Sequence, residues 1–235
     1  MYPKAILFDL DDTLISFDGV TEAAWEETCC SFVDKMQTPY SSKTLLEVIG
    51  RVRKWYWSDP ERHRTGRLNI LEARREIVKQ AMENLQYFDE GAAFELADNY
   101  SRRQREMIHL LPDTVCTLER LKNLGIRMAL ITNGTSKEQR GKLTRFSLEN
   151  YFEVCLIEEE VGYGKPDPRV FELALGKLGL KAHEAWMVGD NLLWDVEAPQ
   201  KVGIFSIWND YRKKGLPEKS LIKPDRIINT VCQLI

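Results

Sequence analysis

The sequence predicts an α/β protein: a doubly wound, mostly parallel sheet core, interrupted after its first strand by an inserted α-helical domain. Three observations carry this. A continuous apolar run, Ala5-Ile6-Leu7-Phe8, stands near the start; helix and strand patterns alternate from residue 112 to 208; and between Phe17 and His109 every segment is helix-compatible. Unbroken apolar runs mark strands covered on both faces, and their alternation with helices marks a Rossmannoid sheet.

In order, the first strand is expected over residues 5–9, followed by helices over 21–36, 42–58, 69–84 and 89–107. Further strands are expected over 127–132, 154–157, 185–188 and 203–208, with a weaker edge strand over 226–228. Gly125 and Gly179 each close a leucine-rich run, as a helix-terminating glycine does. Ser136 and Gln139 have the spacing of a capping box for the helix after the second strand. The expected domains are residues 1–16 with 110–235, forming the discontinuous sheet domain, and 17–109, forming the helical insert.

A length of 235 residues with 43% hydrophobic content can bury one good core and a smaller satellite, so one or two domains are expected. The net charge of −3 gives no footprint for duplex nucleic acid or an anionic membrane. No apolar run approaches the roughly 20 residues of a membrane span, and acidic residues begin at Asp9, too early for a secretory segment. A soluble, cytoplasmic protein is expected. The five cysteines lack any Cys-x-x-Cys pair and read as reduced thiols; His63, His109 and His183 are too scattered for a triad or a histidine metal site.

Ligands of open α/β sheets bind beyond the carboxyl ends of the strands. The polar residues there are Asp9, Asp11, Asp12 and Thr13 after the first strand, then Thr132, Asn133 and Gly134, then Lys165, then Asp190 and Asp195. Singly, each has another reading: aspartate and threonine also serve turns and caps, and lysine is commonly solvated. Jointly they offer carboxylates, one ammonium, a hydroxyl and backbone amides in one crevice. That inventory suits phosphoryl transfer with Mg²⁺, in which one carboxylate attacks phosphorus and a second shuttles the proton.

The motifs Asp9-Leu10-Asp11-Asp12-Thr13, Leu130-Ile131-Thr132-Asn133-Gly134, Gly164-Lys165-Pro166-Asp167-Pro168 and Gly189-Asp190 with Asp195 together resemble those of the haloacid dehalogenase superfamily phosphatases. The resemblance implies hydrolysis of a small-molecule phosphomonoester through an aspartyl-phosphate. It makes Asp9 nucleophile and Mg²⁺ ligand, Asp11 acid/base and metal ligand through its carbonyl, and Asp190 the third metal ligand. Thr132 and the Asn133 amide would bind the phosphoryl group, Lys165 would neutralise charge, and Thr13 and Asp195 would support these groups. A phosphotransferase or phosphomutase would keep the same core. A 2-haloacid dehalogenase would not need Asp11, and a silent binding protein would not need the whole set.

The insert resembles the C1 cap of that superfamily, a helical lid that selects the leaving group. Between Arg51 and Arg75 eight basic residues face three acidic ones, interleaved with Trp55, Tyr56 and Trp57. Two readings stay open. Arg62, His63 and Arg64 could attract an anionic substrate such as a nucleotide, a sugar phosphate or an acidic sugar phosphate; or the aromatics pack the insert and the arginines form a solvated face.

Overall fold

The computed structural model describes residues 2–235. In chain order its strands are β1 (Ala5–Phe8), β2 (Ile15–Ser16), β3 (His109–Leu110), β4 (Arg127–Thr132), β5 (Val154–Ile157), β6 (Ala185–Gly189), β7 (Phe205–Asn209) and β8 (Arg226–Ile228). The helices are α1 (Asp18–Met36), α2 (Ser42–Ser58), α3 (Pro60–Gly66), α4 (Ile70–Asn84), α5 (Glu90–Met107), α6 (Thr114–Asn123), α7 (Ser136–Arg145), α8 (Glu158–Val161), α9 (Pro168–Leu178) and α10 (Ala198–Lys201). Two compact units result: the segment ending at Ser16 together with His109–Ile235, and Phe17–Ile108.

In the first unit six strands run parallel in the order β5-β4-β1-β6-β7-β8, the doubly wound α/β arrangement. The winding direction reverses between β1 and β6, which opens a crevice at their carboxyl ends. Leu7, Ala129, Ile131 and Met187 form one face of the sheet, and Val170, Phe171, Ala174, Leu175 and Leu178 of α9 pack against it. The alternate residues Ile6, Phe8, Leu130 and Val188 are fully buried as well, so the central strands are covered on both faces. Helix α9 starts where Asp167 accepts the Arg169 N–H at 3.0 Å and stops at Gly179, whose φ of +63° favours glycine.

Strand β7 starts at Phe205 rather than residue 203, because Gly203, at φ +86°, ends the preceding turn. The cap of α7 also differs from expectation. Thr135, not Ser136, accepts the Glu138 N–H, and Gln139 is turned inward instead of back to the cap. The strands β2 and β3 pair antiparallel, Ser16 opposite His109, which places His109 with the first unit.

The second unit is a bundle of helices around a core that includes Trp25, Leu45, Ile49, Ile77, Leu96 and Tyr100. The rings of Trp25 and Tyr100 stack 3.6 Å apart at 8°. Ser41, Asp59 and Asp89 cap α2, α3 and α5 through side-chain oxygens. Helix α3 has no apolar periodicity, and its sequence signal is the Asp59-Pro60 start. Among the described residues no helix is long and apolar enough to cross a membrane. All five cysteines are free.

Phe171 fills the space between α9 and the sheet and is fully buried. Phe171→Ala is expected to cost about 3 to 5 kcal/mol. Urea unfolding reads this as a lower midpoint at unchanged slope.

Candidate active site

β1 is zipped on both sides: Phe8 lies opposite Leu130 of β4 and Val188 of β6. The next residue, Asp9, still donates its N–H to Val188 O at 2.9 Å, so its carboxylate starts from a fixed point at the crevice. Its Oδ2 accepts the Thr13 hydroxyl at 3.0 Å and its Oδ1 accepts from Lys165 Nζ at 2.7 Å. Thr13 is brought back by a tight turn in which Leu14 N and Ile15 N both bond Leu10 O. Asp12 adopts φ +60° in that turn and accepts from the Tyr211 hydroxyl, which holds it apart from the carboxylates around Lys165.

Lys165 is 1% exposed and bridges two carboxylates, with Asp195 Oδ1 at 2.6 Å from its ammonium. Asp195 reaches this position from a wide π-type helical turn, Leu192–Glu197, and its Oδ2 accepts the Asn191 N–H at 3.0 Å. The fit depends on Gly189, where an added Cβ would lie 2.2 Å from Asp195 Cγ. The Asn133 side chain clamps the Lys165 backbone on both sides, donating to its carbonyl at 2.7 Å and accepting its N–H at 2.8 Å. Glu158, 5% exposed, accepts the Gly134 N–H at 3.0 Å and fixes the loop after β4.

Carboxylate oxygens of Asp9, Asp190 and Asp195 lie within 4.8 Å of one another. Burial pushes Asp9 up to about 7 against the pull of Lys165. Burial, then the charges of Asp9 and Asp195, hold Asp190 well above the usual carboxylate range. Burial lowers Lys165, but the charges of Asp195 and Asp9 more than reverse it and leave the ammonium above its ordinary value. Three carboxylates thus face one ammonium, an excess of negative charge in a poorly solvated place. No donor among the described residues reaches the Asp190 carboxylate, whereas Trp208 Nε1 fixes its carbonyl at 2.6 Å. Hard oxygen donors with surplus negative charge fit a small divalent cation held by Asp9 and Asp190.

Asp11 has a different set of partners. Lys142 Nζ lies 2.8 Å from both of its carboxylate oxygens, and Gln139 Nε2 donates to Oδ2 at 3.0 Å. The same amide nitrogen donates to the Thr132 hydroxyl oxygen. Lys142 and Tyr211 were not among the residues singled out from the sequence, and Gln139 was read there only as part of a capping box. The available signal was the i, i+3 spacing of 139 and 142 on a helix that starts just beyond the Thr132 strand.

Asp9, Thr13, Lys165, Asp190 and Asp195 therefore form one cluster, with Asp11 and Thr132 joined through Gln139 and Asn133 supporting Lys165. Arg62, His63 and Arg64 lie in α3 of the helical unit, engaged with their own surroundings. Arg62 donates to the carbonyls of Trp55 and Tyr56 and stacks over the Trp55 ring at 3.9 Å; Arg64 pairs with Glu61, and His63 Nδ1 is 3.3 Å from Arg67. The basic surplus of that stretch is reduced by residues outside it: Arg53 meets Glu22 and Arg75 meets Asp98. Tyr56 and Trp57 pack against the helical core, as the packing reading expected, whereas Trp55 is exposed and lies under the Arg62 guanidinium.

Residues 3–203 match the haloacid dehalogenase-like hydrolase family. The chain is 33% identical to a phosphoserine phosphatase of Thermus thermophilus over 94% of both chains. It is 27% identical to a glyceraldehyde 3-phosphate phosphatase of Methanopyrus kandleri over 98% of both. In fold it is similar to the HAD-hydrolase YfnB from Bacillus subtilis bound to magnesium, with a TM-score of 0.75, 21% identity, and coverage of 100% of this chain and 97% of that one. The chain belongs to the haloacid dehalogenase-like hydrolases. Within that superfamily it is an enzyme of the phosphatase class.

Two consequences are measurable. Gly189→Ala drives a methyl into Asp195 and is expected to destabilise the fold by about 1 to 3 kcal/mol in urea unfolding. Asp9, raised to about 7 from 3.8, binds its proton more tightly folded than unfolded. Its contribution to stability is therefore complete below the unfolded value and is lost as pH rises through about 7. In chelator-treated protein, wild-type stability should fall relative to Asp9→Asn between about pH 4 and 7. Parallel curves for the two proteins would contradict this.

Proposed function

We propose that this protein is a cytoplasmic, Mg²⁺-dependent hydrolase of small-molecule phosphomonoesters that works through an aspartyl-phosphate on Asp9. The observation that carries the reading is the two-sided grip on the Asp9 carboxylate, Lys165 on one oxygen and Thr13 on the other. A carboxylate so held is oriented, and the lysine offsets its charge against an incoming phosphoryl group.

In the first step an Asp9 oxygen bonds to phosphorus, the phosphorus–oxygen ester bond breaks, and the departing oxygen takes the proton of Asp11. In the second, the Asp11 carboxylate takes a proton from water, the water oxygen bonds to phosphorus, and phosphate leaves as Asp9 is regenerated. Thr132 and the Asn133 amide hold the non-reacting oxygens; the Asn133 side chain, committed to Lys165, leaves only its backbone for that task. Asp195 orients Lys165 through its ion pair. Asp9, Asp190 and the Asp11 carbonyl would hold Mg²⁺, which would neutralise the phosphate charge when bound. A magnesium-bound form of the fold neighbour and the donor-free Asp190 carboxylate support that assignment.

The relatives' names favour a small, highly polar substrate of the size of phosphoserine or a triose phosphate over a nucleotide. Five free thiols suit a reducing compartment.

The test is phosphate release from phosphoserine, triose and sugar phosphates and nucleotides, with Mg²⁺ or with chelator. Turnover should require Mg²⁺, favour the small substrates, and drop by about 10³-fold or more in Asp9→Asn. Wild-type-like turnover by Asp9→Asn would eliminate the covalent route.

A further inference from the structure

Helix α7 is mostly polar, Ser136-Lys137-Glu138-Gln139-Arg140-Gly141-Lys142-Leu143-Thr144-Arg145, yet its buried residues are Gln139, Lys142 and Leu143. Leucine needs no explanation. A lysine in an exposed helix ordinarily extends its ammonium into water, and burying it costs free energy unless the charge is used. Lys142 is only 8% exposed, and its Nζ lies 2.8 Å from each Asp11 oxygen. Contact of Nζ with both oxygens, together with the Gln139 amide on Oδ2, fixes the orientation of the carboxyl group as well as its place.

Gln139, one turn earlier on the same face, uses its amide nitrogen twice, toward Asp11 Oδ2 and toward the Thr132 hydroxyl oxygen. A primary amide has two N–H donors, so both are consumed. The Thr132 oxygen is then an acceptor toward Gln139, and its own proton is directed to some other acceptor. The side chains of Lys142, Asp11, Gln139 and Thr132 make one hydrogen-bonded chain, with the proton-transferring carboxyl near one end and the phosphoryl-binding hydroxyl at the other.

We infer that Lys142 and Gln139 are positioning residues that set the Asp11 carboxyl for proton transfer to the departing oxygen, in register with the Thr132 phosphoryl contact. This rests on the phosphatase reading above. Lys165 serves the attacking carboxylate and Lys142 the proton-carrying one. Because the effect runs through protonation, it depends on the leaving group: an alkyl alcohol needs the proton, whereas p-nitrophenolate departs without it.

The test compares kcat and KM for an alkyl phosphomonoester and p-nitrophenyl phosphate in wild type, Lys142→Met, Gln139→Leu, Asp11→Asn and the double variant Lys142→Met/Asp11→Asn. Wild-type turnover of both esters, abolished by Asp9→Asn, checks the phosphatase reading independently. Lys142→Met should lower kcat/KM, which covers the transfer to Asp9 and not the later attack of water, by about 10-fold or more for the alkyl ester and by about 3-fold at most for p-nitrophenyl phosphate. In the Asp11→Asn background the same substitution should cost almost nothing further. Gln139→Leu should show the same leaving-group selectivity, which keeps the test decisive should Lys142→Met fold poorly. Equal losses of kcat/KM on both esters, or an undiminished loss in the Asp11→Asn background, would overturn the inference.

Discussion

The ammonium of Lys165, sealed from water and shared between Asp9 and Asp195, is the interaction around which the sheet unit is arranged. An ion cluster in such a place is stable only if every member is held, because the loss of one partner leaves the others as uncompensated buried charges. The surrounding residues do that holding. Gly189 has no side chain, so Asp195 can lie against β6; Asn191 fixes the second oxygen of Asp195; Asn133 clamps the backbone of Lys165. Even Gly164 follows from it, since a Cβ there would lie 2.5 Å from Asn133 Oδ1.

Of the three aspartates in the first loop, Asp9 and Asp11 are held in opposite ways. Asp9 is buried among like charges and pushed up toward neutrality, which is the electrostatic setting that a divalent cation relieves. Asp11 is more open to water and is held by a lysine and a glutamine of α7. One short loop between β1 and β2 thus carries two carboxylates, two residues apart, with different partners and different work. Strand pairing sets the first; a helix arriving from beyond β4 sets the second.

The helical unit follows another rule. Its charges find partners within it, Arg53 with Glu22, Arg75 with Asp98, Lys35 with Glu95, and its arginines lie over aromatic rings. A basic stretch read along the chain therefore overstates the free positive charge, because the neutralising acids come from helices distant in sequence.

The sequence by itself determined the sheet strands nearly to the residue and the four long helices of the insert, because apolar runs and helical periodicity are local properties that backbone geometry turns directly into elements. It also marked Asp9, Asp11, Thr132, Lys165 and Asp190, since each sits just beyond a strand-like run or in a recognisable short motif. Tertiary structure alone decided the rest. Ser136 and Gln139 had capping-box spacing, yet Thr135 took the cap and Gln139 turned to Asp11, 128 positions away. Asp195 was expected only to support the other groups, and its partners were unspecified until its oxygens were found on Lys165 and Asn191. Helix α3 lacked periodicity, and Arg62 looked available until it closed the end of α2. In each case the deciding partner is remote in sequence or offers a backbone group, and side-chain identity read along a chain records neither.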